Sequence, residues 1–250
     1  MNDLNRKVVL VTGSSEGIGF SIAKAFSENG CKVVLNGRNR KKLIIAQKKI
    51  KDSVFVVGDV TKPIKAKKII EKIIKIFGNL DILICNVGNG ESVRPGMESP
   101  KEWQRMFAAN FWSTTNMVEA AYKSLLNSKG SIVCISSICG IEVINNAPLT
   151  YSAAKAALNS YVRGMARHFG NQGVRINAIA LGNILFDGSS WSKKILKNEE
   201  NIKKMISNEV PLNCFGSPED AAGLAVFLAS NSSKFVTGSI WNLDGGQVRS

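Results

Sequence analysis

Short apolar runs alternate along this chain with longer segments in which apolar residues recur every three or four positions. The short runs, such as Val8-Val9-Leu10-Val11, predict buried β-strands, and the longer periodic segments predict amphipathic helices. The predicted strands span residues 7–12, 32–36, 54–57, 82–85, 131–136, 175–180 and 239–243. The predicted helices span residues 18–29, 41–51, 64–77, 101–126, 151–169 and 218–229. Such alternation is typical of βαβ units, which build a parallel sheet with helices on both faces.

One stretch departs from this alternation. The chain is predicted to form a single domain that spans residues 1–250. Within it, residues 182–209 begin with polar, Gly- and Ser-rich sequence and are predicted to be irregular. Long insertions in compact domains are often lids or binding loops. We therefore expect a mobile lid that closes over a substrate, with the large side chains of Phe186 and Trp191 facing it. The alternative is that Trp191 only packs the loop onto the body of the protein.

Charge is concentrated in the first part of the chain. The formal net charge is +14, and residues 1–75 hold 17 Lys and Arg against 6 Asp and Glu. The lysines of residues 38–51 and 62–75 alternate with Ile and Leu at helical spacing, which favours two amphipathic helices with solvated basic faces. Because no helix-turn-helix, zinc or aromatic-stacking motif accompanies them, we expect no nucleic-acid partner. A basic field around an anionic cofactor or acidic partner fits the same pattern.

Several classes of protein are excluded by what the sequence lacks. The longest apolar runs fall far short of the roughly 18 residues of a membrane span, and no signal-peptide pattern is present, so a cytoplasmic protein without a membrane partner is expected. The five Cys form no Cys-x-x-Cys pair, and His168 is the single His, so no metal site is predicted. A Ser-His-Asp hydrolase would have to rely on His168 alone.

A glycine motif stands where the first strand ends and the first helix begins. It reads Thr12-Gly13-Ser14-Ser15-Glu16-Gly17-Ile18-Gly19. Glycines at this place permit a tight turn and let the backbone approach a pyrophosphate, which then lies at the positive helix N-terminus. The alternative is a glycine-rich turn without a ligand.

The second motif is Tyr151-Ser152-Ala153-Ala154-Lys155. Residues four apart share one face of a helix, so the phenol and the ammonium can act together. A free phenol has a pKa near ~10, and an adjacent cation favours its ionised form. The pair follows Ser136-Ser137 at the end of a predicted strand, and in a parallel sheet the strand ends face the ligand crevice. Taken alone, Tyr-x-x-x-Lys would be interpreted as a surface pair.

Together these motifs resemble the short-chain dehydrogenase/reductase family, and the resemblance covers nearly the whole chain. Besides the glycine motif, Tyr151 and Lys155, the family motifs occur in order at Gly58-Asp59-Val60, Leu80-Asp81-Ile82, Asn86-Val87-Gly88, Asn110, Ser137-Ile138-Cys139-Gly140, Val174-Arg175-Ile176-Asn177, Phe235-Val236-Thr237-Gly238 and Asp244-Gly245-Gly246. The fold that the resemblance implies is a doubly wound Rossmann fold with a seven-stranded parallel sheet.

The resemblance also implies a reaction, reversible hydride transfer between a nicotinamide cofactor and a carbonyl or alcohol. Tyr151 would exchange the proton, and Lys155 would lower the Tyr151 pKa and hold the nicotinamide ribose. Ser137 would bind the substrate oxygen, and Asn110 would fix a water that links Lys155 to solvent. The implied cofactor-binding residues are Gly13, Ser15, Gly17, Ile18, Gly19, Arg38, Asp59, Val60, Asn86, Gly88, Tyr151, Lys155 and Ile184.

Some positions depart from the family pattern. Phe186 stands where relatives carry the Thr that helps hold the nicotinamide carboxamide, so we expect that contact from the backbone at Ile184. Cys214 stands where many relatives have Arg, at a subunit contact. The resemblance implies a homotetramer, with a dimer as the alternative, in which the helices predicted at 101–126 and 151–169 pack across one interface and the C-terminal strand across another.

The end of the second strand predicts the cofactor. It reads Asn36-Gly37-Arg38, with no acidic residue to bind a ribose 2′-hydroxyl as in NAD enzymes. Arg38 offers a planar fork of donors for the 2′-phosphate of NADP, and Gly37 leaves room for it. NADP(H) is therefore predicted to be preferred over NAD(H). The alternative, in which Arg38 stacks on the adenine and tolerates either cofactor, stays open because Glu16 lies in the glycine loop.

The substrate is not specified by these motifs. A 3-oxoacyl thioester, a sugar, a polyol or another small or carrier-bound ketone would fit the implied chemistry, and an NAD-dependent sugar or polyol dehydrogenase is the alternative enzyme. In another class of function, the chain would be a nucleotide-sensing or scaffold protein without turnover. Retention of Tyr151 and Lys155 favours the enzyme.

Overall fold

The computed structural model describes residues 2–249 and contains one parallel sheet. Its strands are β1 (Val8–Val11), β2 (Lys32–Gly37), β3 (Ser53–Val57), β4 (Ile82–Cys85), β5 (Ser131–Ser137), β6 (Arg175–Leu181) and β7 (Ile240–Leu243). They are arranged in the order β3-β2-β1-β4-β5-β6-β7, which is the doubly wound topology. The predicted seven-stranded Rossmann fold is thereby confirmed, and every strand boundary agrees with the prediction to within one residue.

Helices cover both faces of this sheet. They are α1 (Gly17–Glu28), α2 (Arg40–Lys49), α3 (Pro63–Phe77), α4 (Pro100–Phe107), α5 (Ser113–Ser128), α6 (Leu149–Gly170), α7 (Ser190–Lys197), α8 (Glu199–Glu209) and α9 (Pro218–Ala229). All residues of β1, β4 and β5 are buried because each face of these strands carries its own core. Helices α1, α2 and α9 pack on one face, and α3, α5 and α6 pack on the other.

The helix predicted over residues 101–126 is interrupted, so that prediction was wrong. A π-helical turn, Ala108–Trp112, separates α4 from α5. Inside it the Asn110 side chain donates to the Met106 carbonyl at 3.0 Å, and the Ser113 hydroxyl donates to the Ala109 carbonyl at 2.7 Å. Side chains that bond to helix carbonyls widen the turn locally, and such π turns are frequent at functional sites. The widened turn leaves Asn110 buried beneath the loop that follows β4.

The stretch predicted to be irregular, residues 182–209, instead contains α7 and α8. Only its polar beginning is a loop. Ser189 and Asn198 cap the two helices, since their side-chain oxygens accept hydrogen bonds from the backbone N–H of Ser192 and Asn201 at 3.0 Å in both cases. Apart from Ile206, none of the residues in these two helices is buried, so both helices lie at the surface.

Candidate active site

The carboxyl ends of the parallel strands open into two adjoining cavities, of about 590 and about 630 Å³. Ser137, Tyr151 and Lys155 line the first cavity, and Arg38 and Asp59 line the second. Both cavities are bordered by residues of the loop that follows β4, namely Asn86, Gly88 and Asn89. The predicted catalytic and adenosine-binding groups therefore lie along one continuous crevice at the edge where ligands bind in open α/β sheets.

The glycine turn forms the floor between the two cavities. Gly13 and Gly17 adopt left-handed backbone angles, with φ of +63° and +59°, which disfavour any side chain. A methyl group added at Gly19 would lie 2.5 Å from the Gly13 carbonyl oxygen, so helix and turn are packed directly against each other. Helix α1 begins without a side-chain cap, which leaves its first N–H groups available to an anion. This local structure fits the pyrophosphate of a dinucleotide.

Asn86 braces this turn from the neighbouring strand. Its side-chain amide donates to the carbonyls of Thr12 and Gly13 at 2.9 and 3.1 Å, and its backbone N–H donates to the Thr12 hydroxyl at 2.9 Å. The sequence predicted Asn86 as a cofactor ligand. Because the amide hydrogens are already used, its first role in the structure is to hold the glycine turn against β4.

At the far end of the second cavity, Arg38 is exposed and lies beside Asn36 and Asp59. Asp59 accepts hydrogen bonds from the Thr61 backbone N–H and hydroxyl at 3.0 and 2.8 Å. The Asn36 side chain is buried, and its Oδ1 has no hydrogen-bond partner in the described chain. An unpartnered acceptor and an exposed guanidinium in one cavity wall fit a nucleotide, which offers both donors and anionic oxygens.

Lys42 is a second cation in this wall that the sequence did not single out. Its Nζ lies 2.7 and 3.0 Å from the two carboxylate oxygens of Glu16 in the glycine loop. Lys42 belongs to the first turn of α2, where its backbone N–H donates to the capping side chain of Asn39. In the sequence it is one lysine in a basic run, and only the start of α2 directly after β2 could have indicated its place.

The first cavity brings together three of the four predicted catalytic side chains, Ser137, Tyr151 and Lys155. The hydroxyl groups of Ser137 and Tyr151 both border this cavity, and the Lys155 ammonium lies 5.8 Å from the centroid of the Tyr151 ring. Lys155 is buried and donates to the Ile135 carbonyl of β5 at 2.8 Å. The Cys139 backbone N–H donates to the Ser137 hydroxyl oxygen at 3.2 Å, which turns the Ser137 hydrogen toward another acceptor.

Close packing between β5 and α6 brings Ser137 close to Tyr151 and Lys155. A methyl group added at Gly140 would lie 2.6 Å from the Lys155 carbonyl carbon, so the turn after β5 lies directly on the helix. Asn159, one turn beyond Lys155, accepts a hydrogen bond from Ser136 at 2.6 Å and donates to the Gly140 carbonyl at 3.0 Å. Sequence reasoning missed Asn159, although its spacing of four from Lys155 places both on one helix face.

Burial dominates the titration of both catalytic groups. It raises the pKa of Tyr151 to about 12, and the hydrogen bond from Ser137 offsets only part of that rise. It also lowers the pKa of Lys155 to about 8. In this structure burial outweighs the other influences on the phenol, so the Tyr151 pKa is raised, and the predicted lowering of that pKa by Lys155 stays a prediction. Tyr151 is therefore a neutral phenol near pH 7.

Asn110 supports the site from the π turn. Its side-chain oxygen accepts from the Asn89 backbone N–H at 2.9 Å, and its amide donates to the Asn89 carbonyl at 3.0 Å. A methyl group added at Gly88 would lie 3.0 Å from the Asn110 oxygen and 3.3 Å from Lys155 Nζ. Asn110 thus fixes the loop that lies over Lys155, and its predicted role in a water relay stays a prediction.

The residues predicted to face the substrate both line the first cavity. The Phe186 ring also covers the glycine turn, since a methyl group added at Gly17 would lie 2.6 Å from its Cε2. Trp191 packs against Phe215 with the ring centroids 5.7 Å apart, and it also lines the cavity. Its packing against Phe215 is therefore observed, and its contact with a substrate stays a prediction.

Ile184 occupies the place predicted for the carboxamide contact. It is buried in the wall of the first cavity and pairs with Gly216 through a short parallel bridge. The bridge bonds run from Leu185 N–H to the Gly216 carbonyl at 2.9 Å and from Gly216 N–H to the Asn183 carbonyl at 3.0 Å. Neither bond uses the N–H or C=O of Ile184, and the contact of this backbone with a carboxamide stays a prediction.

Within the described residues, neither a histidine nor a metal-binding cluster lines the crevice. His168 lies 3.2 Å from the Tyr122 hydroxyl and lines neither cavity. In residues 2–249, no group of three or more His, Cys, Asp or Glu side chains is arranged to hold a metal ion. No helix in the same range is both long and apolar enough to cross a lipid bilayer.

Comparison with known proteins gives consistent matches over the whole chain. The model of the family described as enoyl-(acyl carrier protein) reductase matches residues 13–247. The chain is 32% identical over 251 residues to a 3-oxoacyl-(acyl-carrier-protein) reductase of Chlamydia muridarum, which covers 98% of each chain. It is 32% identical over 255 residues to glucose 1-dehydrogenase 2 of Bacillus subtilis, covering 98% of this chain and 96% of the relative. The structure of L-sorbose reductase from Gluconobacter frateurii, complexed with NADPH and L-sorbose, superposes with a TM-score of 0.93 at 27% identity over 100% of both chains.

Proposed function

Because this chain belongs to the short-chain dehydrogenase/reductase family of NAD(P)-dependent oxidoreductases, we propose that it reduces a ketone with NADPH through Tyr151, Lys155 and Ser137. The observation that carries this proposal is the meeting of a neutral phenol, a buried ammonium and an oriented hydroxyl in the first cavity. When bound in the crevice, the nicotinamide supplies the hydride of the reaction.

Tyr151 is the proton donor of the proposed reduction. Its pKa of about 12 keeps the proton on the phenol at neutral pH, and an alkoxide that develops beside it is a stronger base. Ser137 directs its hydroxyl hydrogen away from the Cys139 N–H and can donate to the same substrate oxygen. A preorganised donor of this kind contributes about 2.7–4 kcal/mol to transition-state stabilisation in other enzymes.

Lys155 would stabilise the negative charge that proton transfer leaves on the Tyr151 oxygen. Its pKa of about 8 leaves the ammonium mostly charged at neutral pH in spite of its burial. A cation this close to the Tyr151 ring stabilises the phenolate that remains after the proton has left. The hydrogen bond to the Ile135 carbonyl anchors the ammonium to β5.

The remaining predicted ligands are distributed for an extended dinucleotide. The uncapped start of α1 and the glycine turn, Gly13 to Gly19, would hold the pyrophosphate. Asp59 and Val60 would border the adenine, and Ile184 would meet the carboxamide. The preference for NADPH over NADH rests on Arg38 and Lys42 at the far end of the second cavity. Two solved relatives, the sorbose reductase and a Pseudomonas aeruginosa oxidoreductase, carry NADPH.

Assays with both cofactors test this function directly. The purified protein is expected to oxidise NADPH in the presence of a ketone drawn from 3-oxoacyl thioesters, ketoses and simple keto esters. Oxidation of glucose with NAD would favour the alternative that the Bacillus subtilis relative suggests. Binding of either cofactor without turnover of any member of the panel would favour the sensing or scaffold function instead. The cytoplasmic location and the lack of a nucleic-acid partner stay predictions.

A homotetramer is the assembly we propose, with a dimer as the alternative. Trp112 is 43% exposed at the end of an aromatic cluster with Phe107, and Phe235 before β7 is fully exposed. Exposed aromatic groups at two separate places suit two interfaces. Sedimentation of the wild type at micromolar concentration is expected to give a tetramer, and Trp112→Glu is expected to give smaller species. A wild-type monomer would contradict both assemblies.

Closure of the lid is expected to protect residues 182–209 from hydrogen exchange. Few residues of α7 and α8 are buried, and the Lys193 ammonium joins α7 to Glu91 after β4 at 3.1 Å. Backbone amides with little burial exchange readily until a ligand holds them. Exchange is to be measured with and without NADP and a ketone, and unchanged rates across α7 and α8 would argue against a lid.

A further inference from the structure

Lys194 is a cation in the wall of the first cavity that the proposed chemistry does not use. It lies on α7 three residues after Trp191, and its Nζ is 4.2 Å from the centroid of the Trp191 ring. Trp191 is in turn held against Phe215. The ammonium is therefore supported on an aromatic surface in the same cavity as Ser137 and Tyr151.

Two other lysines of α7 and α8 are paired with carboxylates, unlike Lys194. Lys193 is paired with Glu91 at 3.1 Å, and Lys203 is paired with Glu199 at 2.7 Å. Within residues 2–249 no carboxylate forms an ion pair with Lys194. A cation that faces a cavity without an anionic partner is available to a ligand.

The charged groups that line the first cavity are Lys155, Lys194 and Glu209. The Cys139 thiol lies beside Ser137, and although burial raises its pKa, the Ser137 hydrogen bond and the positive charges of Lys155 and Lys194 lower it. Glu209, the carboxylate that lines this cavity in the described chain, accepts from Gln247 at 3.2 Å, and Gln247 accepts from Asn183 at 2.9 Å.

We propose that Lys194 binds an anionic group, a carboxylate or a phosphate ester, carried by the ketone that this enzyme reduces. The proposal rests on the proposed function and specifies its substrate class. Lys194 would contact the anionic group from the α7 side of the cavity, and Trp191 would form the apolar wall beside it. Neutral ketones of the same size would leave the ammonium without a partner.

Paired substrates test this proposal. Acetoacetate is compared with its methyl ester, and dihydroxyacetone phosphate with dihydroxyacetone, which separates a carboxylate from a phosphate. In the wild type, kcat/KM for the anionic member of at least one pair is expected to exceed that of the neutral member by about tenfold or more, the scale of a charge-assisted hydrogen bond. In Lys194→Met this ratio is expected to fall to near one, and in Lys194→Glu below one.

Lys197→Met is the matched control, because Lys197 lies on the same helix, is exposed and does not line the cavity. The proposal would be overturned if the ratio of kcat/KM for anionic over neutral substrates were unchanged in Lys194→Met or fell equally in Lys197→Met. A ratio near one in the wild type would also overturn it. Calorimetric titration of the protein–NADP complex with the same four probes gives a readout without turnover, and the same comparisons apply to Kd. Failure to bind NADP or NADPH at all would instead contradict the proposed function on which the inference rests.

Discussion

Replacing Tyr151 by Phe is expected to lower kcat by about 10²- to 10⁴-fold, the contribution typical of a positioned general acid. The substitution removes the hydroxyl and leaves the ring, which packs beside Gly90 and Lys155. The glycine turn and Arg38 do not depend on that hydroxyl, so the Kd for NADPH is expected to change by less than about threefold. Steady-state reduction of a ketone and fluorescence titration of NADPH give the two quantities.

Tyr161→Phe is a suitable control for this substitution. Tyr161 lies on the same helix, α6, and its ring meets Phe111 with the centroids 5.9 Å apart, but it lines neither cavity. Removing the Tyr161 hydroxyl is therefore expected to leave kcat close to the wild-type value. If Tyr151→Phe keeps kcat within tenfold of the wild type, Tyr151 is not the proton donor and the proposed mechanism is wrong.

The sequence was sufficient to predict the strands and the meeting of the main motifs. A strand buried on both faces must be apolar throughout, as Val8–Val11 and Ile82–Cys85 are, so its limits are visible without a structure. Because parallel strands end at the same edge of a sheet, the glycine turn after β1 and Ser137 after β5 were expected to share one crevice. Because Tyr151 and Lys155 are four residues apart on a helix, both side chains were expected on one face of that helix.

What could not be predicted depends on contacts between distant segments. The Asn110 side chain bonds to the backbone of Asn89 in the loop after β4, and no local pattern in the apparently continuous helix indicates that contact. The pKa of Tyr151 is a second example. Its spacing from Lys155 suggested a lowered pKa, but the burial of the phenol, which only the folded chain shows, raises the pKa.

Replacing Arg38 by Ala is expected to weaken NADPH binding by about 10- to 150-fold, or ~1.5–3 kcal/mol, and to change the Kd for NADH by less than about threefold. Arg38 lines the second cavity beside Gly37, and β2 ends there without a carboxylate that would repel a phosphate. A guanidinium fork matches the oxygens of a 2′-phosphate, which NADH lacks. Titration of the two reduced cofactors against wild type and variant measures both effects.

The control for this prediction is Arg40→Ala, because Arg40 lies 5.4 Å from the Phe55 ring in a separate groove and lines neither cavity of the active site. Glu16→Gln provides a second comparison, since it removes the carboxylate that holds Lys42 at 2.7 Å. If Arg38 and Lys42 both serve the phosphate, Glu16→Gln should tighten NADPH by roughly two- to fivefold, the scale of an exposed ion pair, without tightening NADH. Equal weakening of NADPH and NADH in Arg38→Ala would mean that Arg38 stacks on the adenine, and tighter binding of NADH by the wild type would contradict the predicted preference for NADP.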